Sequence, residues 1–192
     1  VGPNKRCHRS ALTAPLVRLD VGHRGSMMGT TCRMMRSEDR ESVFALIERG
    51  FDGFVRADCA AEGVAEFVRA ARLMVFEQPP EHFVMVAEVD SHIVGMIDMR
   101  NHSHICLFFV EPSRIGKGIG RRLLDCAVAE CRRHKSDLQQ IDVNSSLWAT
   151  PVYHSFGFRQ TKPPQVINGI SFVEMVKELA DSKANKPTVA TC

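Results

Sequence analysis

Apolar residues in the first part of the chain recur at two spacings, which predict a strand and then two helices. Thr31 to Met35 is a short run typical of a strand, and Ser37 follows it as a residue type that caps helices. Two helices are predicted next, because apolar side chains repeat every three to four residues. These apolar positions are Val43, Phe44, Leu46 and Ile47 in the first helix and Val64, Phe67, Val68, Ala71 and Met74 in the second, which ends before Pro79.

Three apolar runs in the middle of the chain predict consecutive strands. Phe83 to Val89 and Ile93 to Met99 are joined by three polar residues, which indicates a hairpin. His104 to Val110 is apolar at nearly every position, a pattern typical of a central strand covered on both faces. This third strand leads directly into a glycine-rich turn and an amphipathic helix.

The last third of the chain alternates again between strand and helix patterns. Leu138 to Asn144 is predicted as a strand, and Phe158 to Thr161 with Ser171 to Lys177 as a closing pair around Asn168-Gly169. Propensity alone also permits a helix over Ser171 to Leu179. The predicted order is β-α-α-β-β-β-α-β-α-β-β, which places the chain in the α/β class.

The glycine-rich turn has the features of an anion site. Gly116, Gly118 and Gly120 leave backbone N–H groups unobstructed between the third strand and the following helix. The first turn of a helix also carries unpaired donors and the positive end of the helix dipole. Lys117, Arg121 and Arg122 add positive charge. The turn is therefore predicted to hold a phosphate group.

Spacing excludes two familiar nucleotide-binding loops. A Walker loop requires Ser or Thr after its lysine, and Lys117 is followed by Gly118. A dinucleotide fingerprint requires glycine where Arg121 stands. A glycine-rich turn that holds no ligand remains the alternative from this motif alone.

Two ordered motifs resemble the GNAT (Gcn5-related) N-acetyltransferases. Ile115 to Gly120 resembles the Gln/Arg-x-x-Gly-x-Gly/Ala signature that contacts the pyrophosphate of acetyl-CoA, although Ile115 stands where the family has Gln or Arg. Val143 to Phe158 resembles the family's strand, short helix and Tyr-x-x-x-Gly-Phe ending. The resemblance extends from about Thr30 to about Leu179. It implies the GNAT fold, an α/β (α+β) fold with a mixed, strongly twisted sheet of six to seven strands and helices on both faces.

The resemblance implies an N-acetyltransferase that moves the acetyl group of acetyl-CoA directly to a primary amine of an unidentified acceptor. Tyr153, the single tyrosine, matches the general acid, and His104 stands where histone-type members have a glutamate general base. Imidazole suits a base near neutral pH, with Glu111, Asp98 and His154 as alternatives. The implied cofactor-binding residues are Phe109, Val110, Ile115, Gly116, Lys117, Gly118, Ile119, Gly120, Arg121 and Asn144.

A second function class stays open. Ile115 and the uncertain base are compatible with an acyl-CoA-binding sensor or interaction module that keeps the fold without turnover. His102 and His104 would share a face if they lay on one strand, but no further ligands stand at a familiar spacing, so no metal is expected. A homodimer is possible, because many relatives form one.

The acceptor site is expected along two segments that border it in relatives, 50–61 and 163–169. Apolar Phe51, Phe54 and Val55 and acidic Asp52 and Asp58 lie in the first segment. They predict an apolar rim with carboxylates that attract a cationic amine.

Composition fits one domain over residues 29–180, with an N-terminal extension, 1–28, and a C-terminal tail, 181–192. The chain has 192 residues, of which 44% are hydrophobic. Residues 1–26 hold five Lys or Arg and one Asp, so the remainder is nearly neutral, with 20 basic and 21 acidic residues. This balance argues against nucleic-acid binding. The Arg-rich, acid-poor first segment also fits an organellar transit peptide.

The remaining composition indicates a cytoplasmic protein that is not inserted in a membrane. No apolar run approaches the roughly 20 residues of a membrane span. Seven cysteines form an odd number without a Cys-x-x-Cys pair, so reduced thiols are expected.

Overall fold

Eight strands and four helices make up residues 29–180, the part of the chain that the computed structural model describes. The predicted extension, 1–28, and tail, 181–192, lie outside the described residues. The strands are β1 (Thr31–Met34), β2 (His82–Val89), β3 (His92–Arg100), β4 (His104–Val110), β5 (Gln140–Ser145), β6 (Arg159–Gln160), β7 (Gln165–Ile167) and β8 (Ile170–Glu178). The helices are α1 (Arg40–Phe54), α2 (Ala61–Arg72), α3 (Ile119–His134) and α4 (Thr150–Ser155). Shorter helical turns lie at Ser37–Asp39, Arg56–Asp58, Leu73–Glu77 and Pro112–Arg114.

The strands form one mixed sheet in the order β1-β2-β3-β4-β5-β8-β6, with β7 paired to β8. All neighbours are antiparallel except β4 and β5, which run parallel. The fold class predicted from the sequence is confirmed, with one strand more than expected. The additional strand is β7, which pairs with β8 across the turn at Asn168 and Gly169, whose φ angles are 50° and 74°.

The sheet separates two hydrophobic cores, because successive side chains of a strand point to opposite faces. On one face, Met85, Ile97 and Ile105 pack with the apolar positions of α3 and with Tyr153 of α4. On the other face, Val84 and Met96 pack beneath α1 and α2. We call the latter the α1/α2 face.

The parallel strands β4 and β5 pair only at their beginnings. Their register joins His104 to Asp142 and Ile105 to Val143, although β4 continues to Val110. Directly after this pairing, Cys106 forms a β-bulge against β3, where Asp98 pairs with Leu107 and the next residue, Met99, with Ile105. A bulge bends its strand. The two strands therefore separate and leave a gap between their carboxyl ends.

Two local predictions differ from the structure. Ser37 does not cap α1; it lies in a helical turn, and the carboxylate of Asp39 accepts the Arg36 N–H at 2.7 Å. The helix α1 also extends to Phe54, so the predicted connection 50–61 shortens to 55–60. The apolar periodicity of α1 continues through buried Phe51, which explains the longer helix.

Candidate active site

The glycine turn lies at the open end of β4 and presents free backbone donors. Gly116 and Gly118 have φ angles of 81° and 80°, which a residue with a side chain adopts only with strain. A side chain at Gly116 would meet no atom within 4 Å, so space beside the turn is open. Five backbone N–H groups in this part of the chain donate to no acceptor among the described residues. They belong to Gly116, Gly118, Ile119, Gly120 and Arg121.

Some side chains around this turn are exposed to solvent, and others pack against the protein. Lys117 is exposed, and Ile115 is 38% exposed. Ile119 is buried in the core with α3, so its backbone alone can face a ligand. The Arg121 guanidinium lies 4.9 Å from the Phe156 ring centre and donates to the Ser155 carbonyl. Positive charge available at the turn therefore comes from Lys117 and the start of α3.

Phe109 and Val110 line the β4 side of the gap through their backbone. The Phe109 ring packs against Phe67 at 6.1 Å, beside Gly50 of α1. The Val110 side chain packs into the core beneath α3. Both side chains therefore serve packing. The backbone edge of β4 beyond Ile105, in contrast, has no partner on β5.

Tyr153 projects from α4 into the core beside the gap. Its ring meets Phe158 edge-on at 5.1 Å and Phe108 of β4 at 6.3 Å. Gly157, with a φ of 90°, ends the helix, and Phe158 donates to the Tyr153 carbonyl at 3.0 Å. The Tyr-x-x-x-Gly-Phe spacing thus fixes the tyrosine against β4. Burial raises the pKa of the Tyr153 hydroxyl well above its ordinary value, so the hydroxyl is neutral at pH 7.

His104 begins β4 and contacts a carboxylate on β5. Its Nδ1 lies against Asp142, its partner in the parallel register, which leaves Nε2 as the other proton site. The His104 side chain is 16% exposed and that of Asp142 is 47% exposed. The sequence analysis did not identify Asp142, because a spacing of 38 residues carries no sign of a parallel register.

The alternative bases are engaged elsewhere. Glu111 pairs with Arg49 at 2.8 Å. Asp98 is fully buried against His82. His154 donates from Nδ1 to the Phe158 carbonyl at 3.1 Å. Of the four candidates, His104 is the one next to the gap whose second ring nitrogen remains available.

Asn144 lies two residues beyond Asp142, on the same strand face, and is exposed. Its register partner on β8 is Glu174. A hydrogen bond from Lys162 holds the pKa of Glu174 below its ordinary value, and Gln165 also donates to this carboxylate at 3.2 Å. The segment between β6 and β8 is thereby tied to the β5 side of the gap.

The residues that form the apolar rim differ from those predicted from the sequence. Phe51 is buried and stacks on Phe67 at 3.9 Å, so it belongs to the core. The Asp52 carboxylate accepts from Arg56 at 2.7 Å. Phe54 stacks on Trp148 at 4.2 Å, and Trp148 remains 43% exposed. The apolar rim therefore includes the loop after β5, which sequence reasoning missed.

His102 and His104 do not form a pair. The His102 ring stacks on His134 at 4.4 Å and lies 5.4 Å from Phe83. Burial, with help from the charge of His134, lowers the pKa of His102. His104 faces Asp142 instead.

Across residues 29–180, no helix combines the length and apolar character needed to cross a membrane.

Comparison with known proteins agrees with this geometry. Residues 55–179 match the family model described as the acetyltransferase (GNAT) domain. A GCN5-related N-acetyltransferase structure from Rhodopseudomonas palustris is similar, with a TM-score of 0.65, 19% identity, and coverage of 82% of this chain and 100% of that chain. The PaiA N-acetyltransferase from Thermoplasma acidophilum, solved with coenzyme A, has a TM-score of 0.61, 16% identity, and coverage of 79% and 100%.

A third similar structure is the ribosomal-protein-S18-alanine N-acetyltransferase from Escherichia coli, with a TM-score of 0.56, 13% identity, and coverage of 82% of this chain and 98% of that chain. None of the curated proteins matches the sequence significantly. At these identities the solved structures establish the fold alone. The family model, however, spans more than half of the chain. The chain therefore belongs to the GNAT acetyltransferase family.

Proposed function

We propose that this protein transfers the acetyl group of acetyl-CoA directly to a primary amine of an acceptor. The observation that carries the proposal is the gap between β4 and β5, which begins at the β-bulge and ends at the five free N–H groups of the glycine turn. The unpaired edge of β4 leads directly to the predicted anion site at the glycine turn. This arrangement fits a long thioester that has a pyrophosphate at its far end.

The coenzyme is proposed to bind along β4. The pyrophosphate accepts from the free N–H groups between Gly116 and Arg121, with Lys117 adding charge. The pantetheine arm and thioester follow the unpaired edge at Phe109 and Val110, and Asn144 of β5 donates from the opposite side. The coenzyme A in the Thermoplasma relative supports this class of ligand. Ile115 contributes no charged contact, so binding depends on the backbone donors.

The transfer consists of one bond exchange with two proton movements. The neutral amine nitrogen attacks the thioester carbonyl carbon, the new N–C bond forms, and the C–S bond breaks. His104 accepts the proton that the amine loses, through Nε2, while Asp142 orients the ring through Nδ1. Free N–H groups on the β4 edge stabilise the negative charge that develops on the thioester oxygen.

Tyr153 is proposed to donate a hydrogen bond, and then a proton, to the departing sulfur. A free thiol has a pKa near 8.5 and a free phenol near 10, so proton transfer from the phenol to a thiolate is uphill. Burial of Tyr153 increases this difference. The hydroxyl therefore acts first as a hydrogen-bond donor to sulfur. Its proton moves to the sulfur as the C–S bond breaks, and the phenolate then regains a proton from solvent.

Calorimetric titration with acetyl-CoA tests the binding site. The Gly116→Val variant is expected to weaken binding at least about tenfold, because it places a side chain in the open space of the turn. Gly29→Val is the matched control, since Gly29 also has positive φ and open surroundings but lies two residues before β1. Equal affinity in both variants, or no binding at millimolar acetyl-CoA, would contradict the proposed site.

Release of CoA thiol that depends on an added amine tests catalysis. We expect His104→Gln to lower kcat by about 10²-fold and leave acetyl-CoA affinity unchanged. His92→Gln is the control, because His92 also begins a strand but is exposed and bonds to the Asp90 carbonyl. Selective acetyl-CoA binding without thiol release for any amine in a broad panel would favour the sensor instead.

A further inference from the structure

Three chemically reactive side chains meet on the α1/α2 face, at the opposite end of β4 from the glycine turn. His82 of β2 places Nδ1 at 2.9 and 3.1 Å from the two carboxylate oxygens of Asp98 on β3. Ligand atoms of His82, Asp98 and Cys106 all lie within 4.8 Å of one another. The three residues come from adjacent strands, and Asp98 is wholly excluded from solvent.

The bulge in β4 brings the sulfur to this position. Cys106 is the additional residue between the register pairs of Leu107 and Ile105, and bulges commonly redirect a side chain. No described residue forms a hydrogen bond with the Cys106 thiol. Burial, together with the Asp98 charge, raises the pKa of Cys106 to about 12. A thiol and a carboxylate are thus held together inside the protein with one imidazole as partner.

The chemistry of this set is that of a zinc site. Imidazole nitrogen, thiolate sulfur and carboxylate oxygen are the three kinds of protein ligand that Zn²⁺ binds, and three of them leave a fourth tetrahedral position open. Binding of a divalent cation releases the thiol proton of Cys106, and the cation then compensates the thiolate and the Asp98 carboxylate together. A cavity of about 300 Å³ is lined by His82 and by the exposed Met34, so open space lies beside the imidazole of the set.

We propose that His82, Asp98 and Cys106 bind one Zn²⁺ ion. This inference does not depend on the proposed acetyl transfer, because none of these residues is assigned to the reaction. It differs from the expectation, drawn from sequence spacing, that the chain holds no metal. Separations of 16 and eight residues match no familiar zinc motif, and the sheet register alone brings the ligands together.

Titration of the metal-stripped full chain with Co²⁺ is the direct test, with Co²⁺ as a spectroscopic substitute for Zn²⁺. One equivalent is expected to produce a near-ultraviolet thiolate-to-cobalt band, which Zn²⁺ then removes by displacement. Cys106→Ser is expected to abolish the band, and His82→Gln to weaken Zn²⁺ binding at least about tenfold. Cys59→Ser is the control, because Cys59 is half-buried and outside the cluster.

Zn²⁺ is also expected to raise the Tm of the wild type and of Cys59→Ser but not of Cys106→Ser. Far-ultraviolet circular dichroism of each variant verifies that it is folded. The proposal is overturned if the chain binds no Co²⁺ stoichiometrically, or if the band persists in the folded Cys106→Ser variant. Persistence would place the thiolate ligand elsewhere in the chain.

Discussion

Tyr153 is the residue at which packing and chemistry are most closely joined. Its ring fills the core between Phe108 and Phe158, and no described residue accepts a hydrogen bond from its hydroxyl. Tyr153→Phe therefore preserves the packing and removes one donor. We expect kcat to fall by about 10²-fold, because the departing sulfur loses its hydrogen bond. Steady-state release of CoA thiol with a good amine acceptor measures the change.

Two further measurements separate a catalytic loss from a structural one. The free energy of unfolding should change by less than about 1 kcal/mol, since the lost hydroxyl leaves no partner unsatisfied among the described residues. The acetyl-CoA Kd should stay within about twofold, because the substitution keeps the ring in place and leaves the backbone N–H groups of the glycine turn unchanged. A variant with the kcat of the wild type would remove Tyr153 from the reaction.

At the scale of elements, α1 and β4 approach each other through a glycine. A side chain at Gly50 would place its Cβ 2.4 Å from Cδ1 of Phe109, closer than packed atoms allow. Phe109 cannot move freely, because it also packs against Phe67. Gly50→Ala should therefore push β4 away from α1 and destabilise the protein by about 1–3 kcal/mol. Urea unfolding measures this loss, and acetyl-CoA titration should show weaker binding along the displaced β4 edge.

Gly53→Ala provides the matched control in the same helix. A side chain at Gly53 would meet no atom within 4 Å, and alanine favours helix over glycine by up to about 1 kcal/mol. This variant should be neutral or slightly more stable. If Gly50→Ala were equally stable, close contact between α1 and Phe109 would not be what positions β4.

The elements that sequence predicted well are those whose pattern is local. Helical spacing in α1 and the continuous apolar run of β4 each extend over several residues, and the glycine turn follows directly. Short β7 has too few residues for a periodic signal, so it was missed. Tyr153 and the glycine turn were identified from motifs. Asp142 was not, because its role depends on which strand lies beside β4.

At the scale of the whole molecule, too, the features that the sequence did not predict depend on contacts between distant segments. The position of the gap depends on the parallel pairing of β4 with β5, and the cluster of His82, Asp98 and Cys106 on register across three strands. Strand order and register are decided by packing between distant segments, which hydrophobic spacing does not encode. Sequence therefore predicted the glycine turn between β4 and α3, whereas the side chains that meet across the sheet could be found only from the structure.

One ion-pair network connects three elements at the β1 edge of the molecule. Arg33 of β1 donates to Asp39 at 3.0 Å, before α1, and to Glu88 of β2 at 2.7 Å. The Asp39 carboxylate is 8% exposed. Hydrogen bonding from Arg33, aided by the Arg36 N–H and opposed by burial, holds the pKa of Asp39 below its ordinary value. This carboxylate links folding of the whole domain to pH.

Because the folded state lowers the pKa of Asp39, its contribution is complete above the unfolded value near 3.9 and is lost as pH falls through the folded pKa. Asp39→Asn should lower the free energy of unfolding by about 1–3 kcal/mol at pH 7, with a smaller difference from wild type below about pH 4. Urea unfolding across this range measures both. Glu38→Gln, whose exposed carboxylate lies 3.8 Å from Arg36, should change stability by less than about 0.5 kcal/mol at each pH. A pH-independent difference for Asp39→Asn would mean that the carboxylate is not preferentially ionised in the folded protein.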